Sequence, residues 1–423
     1  MADVTSTDAT SAGEAALLYY FREPRWIALW AALLGFMLDA TDVLLYNLSL
    51  QTLRKEFGMS NAQAGLVAAS TLICSAIGGL AAGIISDRIG RGKTLFYTVL
   101  LYSLASGGTA TANSIPELIF WRGLIGIGLG AEWSAGATLV AESWPAKNRG
   151  KALAAMQSGW ALGYMLAAAI TPFVLENYGW RVLFLVGMAP ALLTILIRLK
   201  VKEPEVWLQR TETGDWRGIF KGIYLRRTVV STLLATTVLF AYWGVFSWLP
   251  GFLAAPLDQG GAGFTLARTS TWIFIMQAGT FAGYQAFGFL ADRFGRRPAF
   301  AFYVIVASIL TPLYGLAPRL FGVDAPMWLL WMGPLLGFFG TGYFALFGST
   351  LAELYPTSIR GAGQGFSYNF GRAISAGAPY LVGAIADRSG VGVGITVSAA
   401  FFFVAAFLVY LLPETRNTEL GAS

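Results

Sequence analysis

Residues 121–151 read WRGLIGIGLGAEWSAGATLVAESWPAKNRGK, an apolar run that holds Arg122 near one end and Glu132 near its middle and then enters a basic loop. A charge at the centre of a bilayer costs about 2.5 to 3.5 kcal/mol on insertion scales, so each of these residues needs a partner or a task. Gly126, Gly128 and Gly130 alternate along the same run and let a second backbone come close. The stretch is therefore expected to be a helix inside a bundle of membrane helices, with its charges turned inward.

Composition extends that reading to the whole chain. Of 423 residues, 56% are hydrophobic and 12% are charged, against about 25% charged in a soluble protein. An all-α polytopic membrane protein is expected. Cys74 is the single cysteine and histidine is absent, which removes internal disulfides, cysteine-built metal sites and the commonest metal ligand. No metal is expected. The net charge of +6 does not call for nucleic acid, because the basic residues lie in short loops between apolar spans, where the positive-inside rule accounts for them.

Residues 1–25 are polar and lack the short apolar core and cleavage site of a signal peptide, so they read as a cytoplasmic tail. Bilayer thickness sets spans of about 20 residues. They are expected near 26–51, 60–86, 93–112, 115–143, 150–177 and 180–200, then near 228–254, 268–291, 298–317, 326–354, 360–387 and 391–412, twelve in all. This divides the chain into a six-helix half over 26–200, a charged linker over 201–227, a second half over 228–412 and a tail over 413–423. Lys and Arg concentrate in the loops on the side of the N-terminus, which puts both termini in the cytoplasm.

The halves repeat. Gly83, Asp87, Arg88, Gly90 and Arg91 of GIISDRIGRGK return 205 positions later as Gly288, Asp292, Arg293, Gly295 and Arg296 of GFLADRFGRRP. Glu142, Pro145, Arg149 and Gly150 return 211 positions later as Glu353, Pro356, Arg360 and Gly361. Two motif pairs at nearly one offset mark an internal repeat of six spans, a common plan for secondary transporters.

At these residues the chain resembles the major facilitator superfamily, over most of residues 26–412. The doubled G-x-x-x-D-R-x-G-R loop carries the likeness, although Gly92 stands in the first copy where a basic residue is usual. The resemblance implies that Asp87, Arg91, Asp292 and Arg296 latch the cytoplasmic side through charge pairs and a helix-dipole contact. Arg122 with Gly126, Gly128 and Gly130 looks like the fourth-span motif, whose arginine is often tied to proton coupling. GLGAEWSAGATLVAESWPAKNRGKA is similar to sialate:proton symporters and their metabolite:proton relatives, and LDATDVLLY resembles the D-x-x-D of organic-acid symporters. The antiporter motif of the fifth span survives only as Gly159, Gly163 and Pro172, which weighs against an exporter. The histidine motif of fungal lactate permeases has no counterpart.

The residues themselves point the same way. Asp39 and Asp42, three apart, share a helix face with no Lys or Arg within a turn along the chain. Without histidine, any proton step inside the bilayer falls to Asp39, Asp42 or Glu132; the competing reading is a helix-end aspartate bonded to backbone or water. Arg372, in GFSYNFGRAISAGAPYLVG, is the one basic residue well inside the second half. Its planar fork suits a substrate carboxylate, and Tyr368 and Asn369 lie on its helix face. The alternative is a salt bridge to Glu132 or to an aspartate of the other half. Gln157, Trp160 and Tyr164 share a face of the fifth span, while Gln277, Tyr284 and Gln285 lie in the eighth; Gln157, Tyr164 and Gln277 join the expected substrate site. Tyr242, Trp243, Tyr343 and Phe347 are expected to wall a cavity or simply to pack. Glu142, Arg149, Glu353 and Arg360, at span ends, are expected to form gating or structural pairs.

The expected protein is a monomeric symporter of a bacterial inner membrane that takes up a small organic acid with protons by alternating access. It needs no cofactor beyond the coupling proton. The same fold also serves proton-linked sugar or neutral-metabolite carriers and exporters, and a non-transporting sensor or scaffold is the alternative of another class. An enzyme is not expected, since no nucleophile, base and oxyanion group cluster and no phosphate-cradling glycine loop appears.

Overall fold

A computed structural model describes residues 23–198, 216–356 and 359–415. Residues 1–22 of the expected tail, 201–215 of the expected linker and 416–423 at the end of the chain lie outside that description. Among the described residues there is no strand. The helices are α1 Pro24–Phe57, α2 Asn61–Ile89, α3 Arg91–Thr109, α4 Ile115–Ser143 and α5 Ala146–Arg198, then α6 Gly222–Phe246, α7 Leu249–Ala254, α8 Leu266–Phe294, α9 Arg296–Gly315 and α10 Ala317–Phe321, and finally α11 Ala325–Thr341, α12 Phe344–Ala352, α13 Arg360–Ser375, α14 Gly377–Ser389 and α15 Val391–Leu408.

Among the described residues these make twelve passes in two six-helix halves. α5 carries two passes joined at Gly179, whose φ of 79° and ψ of 174° leave the helical region. Two other passes are broken where proline removes a helix donor. Pro250 has no N–H for Phe246, the last residue of α6, and Pro379 has none for Ser375, the last residue of α13. Eight stretches of the described residues are long and apolar enough by themselves to cross a membrane. The expected boundaries move by several residues; the first pass, for example, extends to Phe57, beyond 51.

Local chemistry sets the helix ends. The Ser114 hydroxyl accepts from the Glu117 backbone N–H at 3.4 Å, and Glu117 Oε2 accepts from the backbone N–H of Asn113, one residue before the N-cap, at 2.9 Å, so S-I-P-E caps the start of α4 with proline in the first turn. Ser60 and Gln63 cap α2 reciprocally at 3.0 and 3.1 Å.

One turn recurs through the molecule. Gly90, Gly179, Gly295 and Gly390 have φ of 103°, 79°, 104° and 93°, and each follows an acid by three residues: Asp87, Glu176, Asp292 and Asp387. A side chain is strained at such φ, so glycine is required. The six-span repeat of the sequence is thus itself built from three-pass units with the same reversal. Gly126 and Gly130 of α4 abut the carbonyls of Thr71 and Ser75 of α2, where a Cβ would collide with backbone. Glycine brings those two helices together as its spacing predicts. In the second half Gly279 and Gly283 of α8 meet the Pro334 and Phe338 carbonyls of α11 in the same manner. The halves face each other with α2 on α13 and α14 and with α5 on α8.

Candidate functional site

The charged residues of the first half gather in space. Asp42 of α1 accepts from Arg122 Nη1 of α4 at 2.6 Å on one oxygen and from the Ser106 hydroxyl of α3 at 2.7 Å on the other. The pair is buried, with side-chain exposures of 2% for Arg122 and 4% for Asp42. Tyr46, one helical turn from Asp42, lies under the guanidinium at 4.8 Å from its ring centre. Asp39 and Asp42 have no Lys or Arg within a turn along the chain, yet Asp42 has a cation in space. Sequence distance hid the cation: Arg122 is 80 positions away and tertiary packing neutralises Asp42. Asp39 is also buried, on the same helix. Glu132 is fully buried in α4, where the Thr98 hydroxyl donates to it at 3.4 Å.

The second half contributes the opposite charge. Arg372 of α13 is 3% exposed, and its guanidinium lies 4.7 Å from the Tyr368 ring centre and 5.9 Å from that of Trp133, the neighbour of Glu132. Trp133 and Tyr368 stack at 4.1 Å and 16° across the interface between the halves. No carboxylate of the described residues forms a salt bridge with Arg372, and its Nε and Nη1 have no hydrogen-bond acceptor among them. A bridge from Arg372 to Glu132 or an aspartate is not found among the described residues. Leaving a buried donor unsatisfied costs about 1 to 3 kcal/mol, and more when it is charged. An aromatic shelf under the ion offsets part of that cost, by about 0.5 to 2 kcal/mol.

Aromatic rings line the interface beside this arginine. Trp160 Nε1 of α5 donates to the Tyr242 hydroxyl of α6 at 2.6 Å, and Trp160 also lies 5.6 Å from Tyr164 and 6.0 Å from Trp243, ring centre to ring centre. Phe344 meets Tyr242 at 5.4 Å and Phe347 meets Tyr368 at 6.2 Å. Gln157 and Thr341 flank the Tyr284 hydroxyl of α8, and Gln277 is buried two turns earlier on that helix. Gln285 donates to the Ser158 hydroxyl of the opposite half at 2.7 Å. Asn369 departs from expectation. Its Nδ2 donates to Gly365 of its own helix at 3.0 Å and its oxygen abuts Gly79 of α2, so it packs the halves together rather than extending the Arg372 fork.

The repeated loops are described for the second copy. Arg296 holds Glu353 of the α12 end at 3.2 Å and lies 3.9 Å from Asp292, which is 78% exposed. Burial pushes the Glu353 carboxyl above the usual carboxylate range, with Arg296 pulling the other way. Glu353 thus takes its partner from the G-x-x-x-D-R-x-G-R loop, joining two motifs that the sequence shows separately. Glu142 and Arg360 stand half-buried at the ends of α4 and α13. The side chains of Asp87, Arg91 and Arg149 lie outside the described residues.

Sequence reasoning missed Asp387. At the end of the bundle opposite the repeated loops, its Oδ1 accepts from the Asn61 backbone N–H at 3.0 Å and from Asn61 Nδ2 at 2.8 Å, while its Oδ2 accepts from the Ala62 N–H at 2.9 Å. A carboxylate of one half thus caps the amino end of α2 in the other. The signal was present: Gly383, Asp387, Arg388 and Gly390 form a third copy of G-x-x-x-D-R-x-G.

A two-half bundle of apolar helices, with buried opposite charges and an aromatic interface between the halves, defines a membrane transporter rather than an enzyme. The chain matches the Major Facilitator Superfamily over residues 32–278 and the family described as "Sugar (and other) transporter" over residues 262–422. It belongs to the Major Facilitator Superfamily. It is 34% identical to a probable 4-methylmuconolactone transporter of Cupriavidus pinatubonensis, over 92% of this chain and 91% of that one. It is 30% identical to the cis,cis-muconate transport protein of Acinetobacter baylyi, over 93% and 95%. A solved D-xylose-proton symporter shares the fold at a TM-score of 0.74 and 20% identity, over 94% of this chain and 99% of that one.

Proposed function

We propose that the chain is a proton-coupled symporter that takes up a small organic acid, with Arg372 holding the substrate carboxylate. The observation that carries this reading is a buried guanidinium whose Nε and Nη1 have no acceptor among the described residues. Its flat aromatic surroundings, Trp133 and Tyr368 above all, favour a planar, unsaturated acid, in keeping with the muconate and muconolactone named for the two relatives. Asp42 with Arg122 is the proposed proton relay, assisted by Asp39 and Glu132. Protonating Asp42 removes the charge that holds Arg122 and frees the first half to rearrange. Alternating access by parting of the halves lets the metabolite reach Arg372 in this reading. Both termini face the cytoplasm of a bacterial inner membrane in this reading, the far end with Asp387 faces outward, and a single chain suffices.

The test is the affinity of cis,cis-muconate and of its diamide for purified wild type, Arg372→Lys and Arg372→Ala. Lysine keeps the charge and loses the fork, so acid affinity falls in the order Arg, Lys, Ala. The full loss is about ten- to a hundredfold, from a charge-assisted bond of about 1.5 to 3 kcal/mol. The diamide loses nothing comparable. Equal losses for acid and diamide reject the carboxylate anchor.

A further inference from the structure

A second polar site adjoins the Arg122–Asp42 pair. A cavity of about 20 Å³ between α1, α2, α4 and α6 is lined by Asn47, Thr71, Arg122 and Trp243, together with Tyr46. Asn47 Nδ2, Thr71 Oγ1, Arg122 Nε and Trp243 Nε1 are all buried, and none has a hydrogen-bond partner among the described residues. Each residue is at most 5% exposed. Three of the four groups can only donate, so what they need is an acceptor oxygen. Buried polar groups in folded proteins are rarely left unpaired, and a cavity of about 10 to 15 Å³ with two to four polar partners suffices for one water.

We propose that this cavity binds one water, which accepts from Asn47 Nδ2 of the first half and Trp243 Nε1 of the second, can donate to Thr71 Oγ1, lies beside the Arg122 Nε edge, and serves as the proton entry to Asp42. Tyr46 does not compete for it, since its hydroxyl donates to the Ala64 carbonyl at 3.1 Å. Asp42 does not fill it either: it is not among the lining residues, and its oxygens, which accept from Arg122 and Ser106, keep lone pairs that can take a proton. The guanidinium is thus shared: Nη1 holds Asp42 and Nε faces the water. Trp243 and Ser247 are the cavity-lining residues of the second half, so parting of the halves carries them away and opens the water position, next to the ion pair, to the aqueous side. When Asp42 takes a proton, the same water solvates the edge of the arginine. The role in proton entry rests on the coupling proposed above for Asp42 and Arg122.

The experiment has two arms. A structure of the protein in lipid, at a resolution that shows ordered water, is expected to show density within hydrogen-bond distance of Asn47 Nδ2 and Trp243 Nε1. A dry cavity, or side chains turned to protein acceptors, overturns the site. In proteoliposomes, Thr71→Val removes one partner with little change in volume, and Trp243→Phe removes the indole N–H while enlarging the cavity. The ratio of proton-driven accumulation to counterflow exchange is expected to fall about tenfold, the equivalent of about one net hydrogen bond. An unchanged ratio in both variants overturns the proton-entry role. Normal accumulation by Asp42→Asn would instead refute the proposed coupling while leaving the water in place, so the two failures are distinct.

Discussion

Replacing Asp387 with alanine should unlock the far end of the bundle. The carboxylate joins the halves through three hydrogen bonds of 2.8 to 3.0 Å to Asn61 and Ala62, and the α2 amino end has its own Ser60–Gln63 cap, so the helix survives the change. Three bonds at about 0.5 to 1.5 kcal/mol net give a ceiling near 4.5 kcal/mol. Asp387 is exposed, which screens its charge, so about 1 to 2 kcal/mol is the expected loss. That shifts the ratio of far-end-open to far-end-closed molecules roughly five- to thirtyfold. Spin labels at Thr111 and Val323, exposed far-end positions in opposite halves, read the distance between the halves in a Cys74→Ser background. Asp387→Ala should transfer population to the longer distance, and Asp387→Asn, which keeps acceptor oxygen without charge, should fall between. An unchanged distance distribution in Asp387→Ala would refute the latch. A lengthening equal to that of Asn61→Ala alone would reduce it to one side-chain bond.

Three further outcomes follow from the geometry. Asp42→Asn leaves Arg122 buried without its counter-ion and should cost about 3 to 5 kcal/mol; adding Arg122→Gln should recover part of it, and strict additivity of the two in thermal unfolding would count against the pair. Gly130→Ala places a methyl group against the Ser75 carbonyl and should destabilise by at least about 1 to 3 kcal/mol, whereas Gly365→Ala, where nothing lies within 4 Å, should be neutral or gain up to about 1 kcal/mol; equal melting temperatures would contradict the close approach of α2 and α4. Asp39→Asn and Glu132→Gln should abolish uphill accumulation while sparing part of exchange, and normal accumulation by both would remove those carboxylates from the relay.

Much of this protein is legible in its sequence because membrane burial is a composition-level constraint. Apolar runs of span length, a glycine face on residues 126–130 and a loop repeated at a fixed offset are linear patterns, and each has one inexpensive structural solution in a bilayer. The buried location of Glu132 and Arg372 follows from the same logic, since a charge within a span has few tolerable places. Partnership is different. Asp42 and Arg122 are 80 residues apart, Trp133 and Tyr368 meet across the two halves, and Glu353 is matched to Arg296 by a loop from another pass. No local periodicity encodes such pairs, because a helix face specifies a direction and not what stands opposite. Asp387 marks the boundary between the two kinds of information. Its motif was written in the chain, but its task depended on the amino end of α2, 326 residues away, and only the packing of one half against the other brings a carboxylate to unsatisfied backbone N–H groups there.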